Sequence, residues 1–511
     1  MAWNLATRLK ELAELACKLA YHSIMRLRHL YAILLSATFL TTLHWPTVLA
    51  QALPELGDPS LSALPPQQER IIARDIMRQA RRDPDFYDDA EATDYIARMG
   101  ARLAAKGADA RQEFEFFLMR DRQINAFAMP GGLIGVNTGL ILAAQGESEV
   151  AGVLAHEISH VTQRHIARMI SNQQGNQWIS IAAIALAVLA ARSNSQASQA
   201  LATVGPALAV QKQLDYSRDF EREADRLGLQ MLEKAGYDHN GMAGFFERLQ
   251  RATRVYEGGA PAYLRSHPLT YERMADMQNR SANMPYRQVT DSIEFHLVRA
   301  KLRAEIDAPR EAVAYFREQL SEKRYLAEAG VRYGLTAALL RYVDIPAARK
   351  EHAVLKALLP RHPMVDLLGC RIKFAGGEAD ALACLRDAHA AHPAYRGILY
   401  EYAEMLLQHR NPATALKLVE ARLAAGVNDH RLYQFQSRAY AALNQRLSHH
   451  RAQAEAYVRM GSTTAAVEQL ELGLKAGDGD YYQLSSAESR MRELRRQDAE
   501  ERKEAGRRDK P

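Results

Sequence analysis

The stretch AGVLAHEISHVTQRH, residues 151–165, places two histidines at a spacing that suits a metal ion. His156 and His160 are four residues apart, so in a helix of about 3.6 residues per turn both imidazoles lie on one face. Apolar residues recur around them at helical spacing: Val150, Val153, Leu154, Ile158 and Val161. Glu157 lies about 100° around the helix from His156 and can polarise a metal-bound water. The alternative is a surface helix that matches this HExxH pattern by chance.

A catalytic metal site usually needs a third protein ligand, and the segment at residues 215–238 supplies a candidate. Glu221 and Asp225 stand four apart on a helical pattern that Gly236 ends. We predict that Glu221 is the ligand and that Asp225 accepts a hydrogen bond from a ligand histidine. Glu223 points elsewhere, so we predict a solvated surface charge there. Taken alone, the segment is equally typical of a charged amphipathic helix.

HEISHVTQRH followed by EREAD resembles the gluzincin family of the HtpX proteases and the CAAX-prenyl proteases. Two further stretches match that family in order and spacing, NAFAMPGGLIGVNTGL at residues 125–140 and SHPLTYERM at residues 266–274. The matching part runs over about residues 65–285. The resemblance implies an α+β zincin-like metalloprotease domain.

The resemblance also implies a set of roles at one zinc ion per chain. Its ligands would be His156, His160 and Glu221, with Glu157 as the general base. Asp225 would support the site from behind a ligand. These assignments agree with the roles that the spacing of the same residues suggests.

Residues 125–140 contain a turn signal, Pro130-Gly131-Gly132, between two apolar runs, which predicts a β-hairpin. Its second strand, with Ile134, Gly135 and Val136, is interpreted as a sheet edge that binds an extended substrate through backbone hydrogen bonds. The substrate role rests mostly on the resemblance. The alternative is a hairpin that only contributes to the core.

His267 follows the predicted third ligand and precedes a proline. The resemblance places this His-Pro segment near the metal, where His267 would be a fourth ligand that keeps the enzyme latent or a residue that positions substrate. The third possibility is a loop histidine without either role. His165 is predicted to pack or hydrogen-bond beside the site without being a ligand.

The N-terminus indicates export. Residues 25–52 have a basic start, an apolar run and small residues at a cleavage site, as in a signal peptide, so residues 1–50 are predicted to be removed and Met25 is a candidate start. The alternative is an uncleaved membrane anchor. Export leaves Cys370 and Cys384, either as one disulfide or as two buried thiols.

Composition and a second apolar stretch bear on the partners. The chain is 48% hydrophobic with a net charge of only +6, which favours a globular protein and argues against nucleic acid as a partner. Residues 178–191 are apolar but too short to span a bilayer comfortably. They are interpreted as a buried core helix or as a segment that contacts a membrane surface or an apolar partner.

The C-terminal half is rich in Ala, Leu, Tyr and Arg and contains a degenerate repeat. A shift of 34 residues takes Gly369 to Ala403 and Ala381 to Ala415, so small residues recur where paired helices must approach closely. Similar pairs elsewhere give four or five hairpins: Ala300 with Ala312, Gly334 with Ala347, and Ala454 with Ala466. This pattern predicts an all-α tetratricopeptide-repeat solenoid, which binds proteins and has no chemistry of its own. The alternative is a non-repeating helical domain.

The predicted domain order is a protease domain at residues 51–288, the solenoid at 289–485 and a charged tail at 486–511. With the repeats included, the chain resembles the periplasmic β-barrel assembly-enhancing proteases of Gram-negative bacteria. That resemblance implies a zinc endopeptidase and chaperone that acts on unfolded or misassembled outer-membrane proteins beside the β-barrel assembly machinery. The alternative is a scaffold or chaperone whose protease is latent.

Overall fold

The computed structural model describes residues 59–107, 112–172, 218–253, 262–285 and 287–508. All of them belong to one compact unit that begins at Pro59. The predicted signal peptide and the apolar stretch at residues 178–191 lie outside the described residues. Within the described part of the chain, no helix is both long enough and apolar enough to cross a membrane.

The N-terminal elements surround a small three-stranded sheet. The helices are α1 (Pro59–Ala63), α2 (Pro66–Ala80), α3 (Ala90–Ala104), α4 (Thr138–Ala143), α5 (Glu147–Thr162) and α6 (His165–Asn172). The strands are β1 (Glu115–Met119), β2 (Ala126–Met129) and β3 (Leu133–Asn137). A 3₁₀ turn, Pro130–Gly132, joins β2 to β3, which confirms the predicted hairpin. Gly131 and Gly132 have φ of 77° and 85°, a conformation that side chains other than hydrogen disfavour.

The sheet order is β1-β3-β2, so β3 is the central strand. Ile134 pairs with Phe116 of β1 on one side, in parallel, and with Ala128 of β2 on the other, in antiparallel fashion. The prediction that Ile134, Gly135 and Val136 form a free edge is therefore wrong, because their backbone groups are already paired. Among the described strands, β2 pairs only with β3 and is an edge.

Helix α5 is the centre of the N-terminal core, and every residue from Val150 to His160 is buried. It packs against β2 and α3 and also against the next helices, α7 (Arg218–Lys234) and α8 (Asn240–Thr253). Two further helices complete this half, α9 (Ala262–Ser266) and α10 (Tyr271–Ala282). Helix α7 approaches α5 closely because Gly228 of α7 faces the α5 backbone. A Cβ on Gly228 would lie 3.1 Å from the backbone nitrogen of His156.

The remaining described residues form six successive helix pairs. They are α11 (Ile293–Ile306) with α12 (Pro309–Ser321), α13 (Glu328–Arg341) with α14 (Ile345–Leu358), α15 (Pro363–Ala375) with α16 (Ala381–Ala391), α17 (Arg396–Gln408) with α18 (Pro412–Ala424), α19 (His430–Ala442) with α20 (Arg446–Arg459), and α21 (Thr463–Leu474) with α22 (Tyr481–Arg508). The predicted tail from residue 486 lies within α22, which buries Ala487 and Leu494.

A left-handed residue follows the first helix of five of these pairs, and its position repeats at intervals of 34, 33, 34 and 33 residues: Val343, Gly377, Arg410, Asn444 and Gly477. This interval agrees with the 34-residue shift found in the sequence. Small residues lie at close helix contacts as expected, since a Cβ on Gly334 would come within 2.2 Å of the Phe316 ring. Cys370 of α15 and Cys384 of α16 form a disulfide, which resolves the choice that the sequence left open.

A buried group of charges joins α3 to the helix pairs. Lys301 of α11 forms ion pairs with Glu91 and with Asp89, and its Nζ lies 2.6 Å from Asp89 Oδ2. Arg371 of α15 lies 3.3 Å from Glu91 Oε2, and the Tyr395 hydroxyl donates to Glu91 Oε1 at 3.1 Å. Burial alone would raise the pKa of Glu91, but these cations outweigh burial and lower it to about 2.

Candidate metal centre

Helix α5 presents three of the predicted site residues from its buried core. His156, Glu157 and His160 are all less than 2% exposed. Because His156 and His160 are one turn apart, their rings meet, and the two Nε2 atoms lie 3.0 Å from each other. The two rings meet edge to face, and an apolar helix would not bury two imidazoles side by side without a shared partner, so the pair indicates a binding site.

Helix α7 brings carboxylates to the same point. Glu221 Oε2 lies 3.5 Å from His156 Nε2, and Glu221 Oε1 lies 3.5 Å from His160 Nε2. One turn further along, Asp225 Oδ1 lies 3.0 Å from His156 Nδ1, where it can hold the tautomer that leaves Nε2 free for a ligand bond. The structure therefore brings together all four residues predicted around the ion and places Asp225 behind His156.

His267, which follows α9, reaches the same cluster. Its Nδ1 lies 2.9 Å from Glu221 Oε1 and 3.3 Å from His156 Nε2. Its Nε2 lies 3.6 Å from Glu157 Oε1. Ligand atoms of His156, His160, Glu221 and His267 all fall within 4.8 Å of one another.

The spacing of these donors fits a transition-metal ion. Ligand atoms held about 2.0–2.1 Å from a tetrahedral ion lie about 3.3 Å from one another. The separations of 3.0 to 3.5 Å between His156, His160 and Glu221 are close to that value. Imidazole and carboxylate are also the donor types that zinc takes in hydrolytic sites.

Glu157 lies beside this donor cluster and is fully buried. Burial raises the pKa of Glu157 above its usual value, which suits a group that must accept and return a proton. The backbone of Ala128 in β2 lies near the Glu157 carboxylate and partly offsets the effect of burial on its pKa. The edge strand β2 thus runs past Glu157.

Arg273 of α10 is a buried residue that the sequence reasoning did not single out. Its Nε and Nη2 donate to both oxygens of Asp225 at 2.7 and 2.8 Å, and its Nη1 donates to the Pro268 carbonyl at 2.8 Å. The same Nη1 lies 2.7 Å from Glu221 Oε2. The motif SHPLTYERM contains this arginine, but a charged residue within a helix gives no local signal of a site.

Tyr263 is a second residue that the sequence reasoning missed. Its ring is fully buried and stacks on His267 with 4.8 Å between ring centroids. It sits on the short helix α9, whose amino-acid pattern carries no signal of a site. Tyr263 fixes the plane of the His267 ring by packing.

Glu223 departs from its prediction as a solvated surface charge. Its Oε2 lies 3.1 Å from His165 Nε2 and accepts a hydrogen bond from Arg168 at 2.8 Å. His165 lies against the site as expected, with its Nδ1 2.8 Å from His160 Nδ1. The prediction failed because α6, which carries Arg168, folds back over this face of α7.

Comparisons with known proteins agree with this site. Residues 90–281 match the family model described as peptidase family M48. A putative beta-barrel assembly-enhancing protease of Vibrio cholerae serotype O1 is 38% identical over 316 residues, which are 61% of this chain and 64% of that protein. The beta-barrel assembly-enhancing protease of Escherichia coli K12 is 29% identical over 425 residues, 82% of this chain and 86% of that one.

A more distant relative shares only the protease part. The mitochondrial metalloendopeptidase OMA1 of Schizosaccharomyces pombe is 31% identical over 184 residues, 36% of this chain and 51% of that protein. The family match includes the HExxH helix, Glu221 and His267, which meet in the buried cluster. The chain is therefore a metalloendopeptidase whose residues 90–281 match peptidase family M48, and it is similar to the beta-barrel assembly-enhancing proteases.

Proposed function

We propose that this chain is a periplasmic zinc endopeptidase that cleaves unfolded or misassembled outer-membrane proteins. The observation that carries the proposal is the convergence of His156, His160 and Glu221 beside the buried Glu157. The similarity to beta-barrel assembly-enhancing proteases supports the substrate class and the compartment. A signal peptide at residues 1–50 would account for export.

In peptide hydrolysis, the ion would activate water and the carbonyl, and side chains of the protein would transfer the proton and orient the ligands. When bound by His156, His160 and Glu221, zinc lowers the pKa of a coordinated water and polarises the scissile carbonyl. Glu157 accepts the proton of the attacking water and returns it to the leaving amine. Asp225 keeps His156 in the tautomer that leaves Nε2 available.

Strand β2 is the element best placed to align the substrate. It is an edge among the described strands, and Ala128 lies beside Glu157. An extended chain that adds to β2 would present successive carbonyls to the metal centre through backbone hydrogen bonds, which do not depend on side-chain sequence. This role replaces the one predicted for Ile134, Gly135 and Val136.

The helix pairs α11 to α22 are proposed to be tetratricopeptide repeats that bind the substrate or the β-barrel assembly machinery. The recurrent turn at intervals of 33 or 34 residues and the small residues at helix contacts support this assignment. A solenoid of this kind offers an extended surface for protein binding. The full chain should recover a partner in a pull-down from envelope extracts, and deleting only the last helix pair, residues 463–511, should weaken that binding while leaving the charged junction at Glu91 intact.

A second function is favoured by one observation. The Nδ1 of His267 stands within the donor cluster, 2.9 Å from Glu221 Oε1. As a fourth ligand, His267 would occupy the position that water needs, and the chain would act as a scaffold or chaperone with a latent protease until that histidine moves away. His267 as a substrate-positioning residue is the competing role.

The two functions separate in one experiment on the full chain. Zinc content and cleavage of an unfolded model protein are measured for wild type, Glu157→Gln, His267→Ala and the exposed control Glu272→Gln. Proteolysis predicts cleavage by wild type and the control, with zinc but no cleavage in Glu157→Gln. Latency predicts cleavage only after His267→Ala. Loss of cleavage in His267→Ala would instead indicate substrate positioning, and absence of zinc from every sample would refute the metal centre.

A further inference from the structure

His165 and Glu223 form a chain of polar contacts that ends on a proposed zinc ligand. His165 Nδ1 lies 2.8 Å from His160 Nδ1, and His165 Nε2 lies 3.1 Å from Glu223 Oε2. Arg168 Nη1 donates to the same Glu223 oxygen at 2.8 Å. The mechanism above uses none of these three residues.

The fold places His165 here by a sharp turn between α5 and α6. Arg164 adopts a φ of 51°, in the left-handed region that non-glycine residues seldom enter. Its Nη2 donates to the Leu64 carbonyl at 2.6 Å, and its Nε donates to Ser60 Oγ at 3.3 Å. These bonds stabilise the turn, which places His165, the first residue of α6, beside His160.

The imidazole of His165 is held by ring stacking as well as by the contacts of its two nitrogens. Its ring stacks on Phe220 with 4.5 Å between centroids and 12° between planes. The Arg168 guanidinium lies 4.6 Å from the centroid of the Phe220 ring. His165 is fully buried, so its ring nitrogens must be satisfied within the protein.

The proton positions follow from the ligand bond. If His160 binds the ion through Nε2, its Nδ1 carries the proton and must donate. The acceptor is His165 Nδ1, which leaves the proton of His165 on Nε2 to be donated to the Glu223 carboxylate. The direction of every hydrogen bond in the chain is therefore set by the metal at one end and the carboxylate at the other.

We propose that His165 and Glu223 are positioning residues that orient the His160 imidazole and increase its affinity for the metal. The proposal rests on the proposed function, because it takes His160 as a zinc ligand. It gives His160 the same kind of support that Asp225 gives His156. Hydrogen-bonded partners of this type typically change metal affinity by about 10- to 100-fold.

The test measures zinc dissociation constants of the full chain by competition with a chromophoric chelator. His165→Leu removes the acceptor for His160 and fills the position with an apolar side chain, whereas His165→Gln restores a carbonyl acceptor and an N–H donor. Glu223→Gln removes only the carboxylate charge, and its partial exposure makes it the variant least dependent on packing. The matched control is Glu272→Gln. Glu272 is an exposed glutamate of α10 that lies 3.9 Å from Arg222, a residue of the helix that carries Glu223.

We expect the zinc dissociation constant to rise about 10- to 100-fold in His165→Leu and several-fold in Glu223→Gln. His165→Gln should recover most of the loss, and the control should match wild type. The melting temperature of each metal-free variant shows whether it folds; if His165→Leu does not, Glu223→Gln decides.

Two results would overturn the proposal. One is unchanged zinc affinity in folded His165→Leu, or in Glu223→Gln where that variant decides. The other is a loss in His165→Leu that His165→Gln does not recover, because packing alone then explains it. Absence of zinc binding by wild type would contradict the proposed function itself, which is a different outcome.

Discussion

Arg273 shows how much one side chain contributes at the residue scale. It neutralises two buried carboxylates, Asp225 and Glu221, and ties the His-Pro loop to them through the Pro268 carbonyl. The carboxylates come from α7 and the loop precedes α10, so a single guanidinium joins both sides of the metal centre. Lysine could not replace it, since one ammonium cannot make the paired bonds to Asp225.

We predict that Arg273→Leu lowers the free energy of unfolding by about 3–5 kcal/mol, because it leaves buried carboxylates without their cation. Urea unfolding of the metal-free protein measures this loss. The free energy of unfolding of Arg273→Lys should fall between those of wild type and Arg273→Leu. Its zinc binding should be weaker than that of wild type because Asp225 is no longer held in place. A loss below about 1 kcal/mol would mean that water replaces the guanidinium.

Val343 has a left-handed backbone at a position that Gly377 and Gly477 occupy elsewhere in the repeat series. Its φ is 65°, it is 76% exposed, and the matching residue 34 positions on is Gly377. We predict that Val343→Gly stabilises the protein by about 1 kcal/mol, since the left-handed conformation penalises a β-branched side chain. Gly377→Val should destabilise it by a similar amount; the midpoints of urea unfolding give both. Destabilisation by Val343→Gly would refute this account.

At the scale of elements, the sequence predicted what depends on local pattern. The helix that carries His156, the helix that carries Glu221 and the hairpin around Pro130 all follow from periodicity and turn residues. The position of β3 within the sheet could not be predicted, because it depends on parallel pairing with β1, a contact that local pattern does not encode. The role of Glu223 was missed for a related reason, since its partners His165 and Arg168 come from a separate helix.

The alternating direction of the N–H groups along the edge strand β2 gives a prediction about substrate binding. Successive N–H groups of a strand point to opposite sides. The Asn137 N–H donates to the Asn125 carbonyl, so by alternation the Ala128 N–H faces away from β3, and Ala128→Pro should leave the fold and zinc content unchanged and reduce cleavage of an unfolded substrate at least tenfold. Phe127→Pro is the control, because its N–H faces β3 and its loss should destabilise the hairpin. Full cleavage by Ala128→Pro would exclude β2 as the substrate strand.

At the scale of the whole molecule, buried charges link the two halves of the chain. Glu91 in α3 meets Lys301 in α11 and Arg371 in α15, and all three lie far apart in sequence. No periodicity or motif marks such a contact, because each partner is an ordinary charged residue in its own helix. A buried ion pair of this kind specifies one arrangement of its elements more than it adds stability.

The pH dependence of stability should report this junction. The pKa of Glu91 falls from 4.5 to about 2 on folding, so its contribution is complete above pH 4.5 and is lost as the pH falls toward 2. That shift corresponds to about 3 kcal/mol. Glu91→Gln should cost about 3–5 kcal/mol at neutral pH and flatten the decline between pH 4.5 and 2. Chemical unfolding over this pH range measures both.

The control for this prediction is Glu294→Gln, which removes one member of a half-exposed ion pair with Arg98. It should cost less than about 1 kcal/mol. An equally steep acid decline in wild type and Glu91→Gln would show that other carboxylates control the acid response.

The same junction has a consequence for the order in which the chain is made. Glu91 precedes Lys301 by 210 residues and Arg371 by 280 residues. While the N-terminal half is alone, this carboxylate has neither of its buried cations, and burying it would be costly. Burial of the Glu91 side chain must therefore wait for the C-terminal helices. A protease assembled in this way would acquire its finished form only after the helix pairs proposed to bind proteins have been synthesised, so a truncated chain would be prevented from indiscriminate digestion.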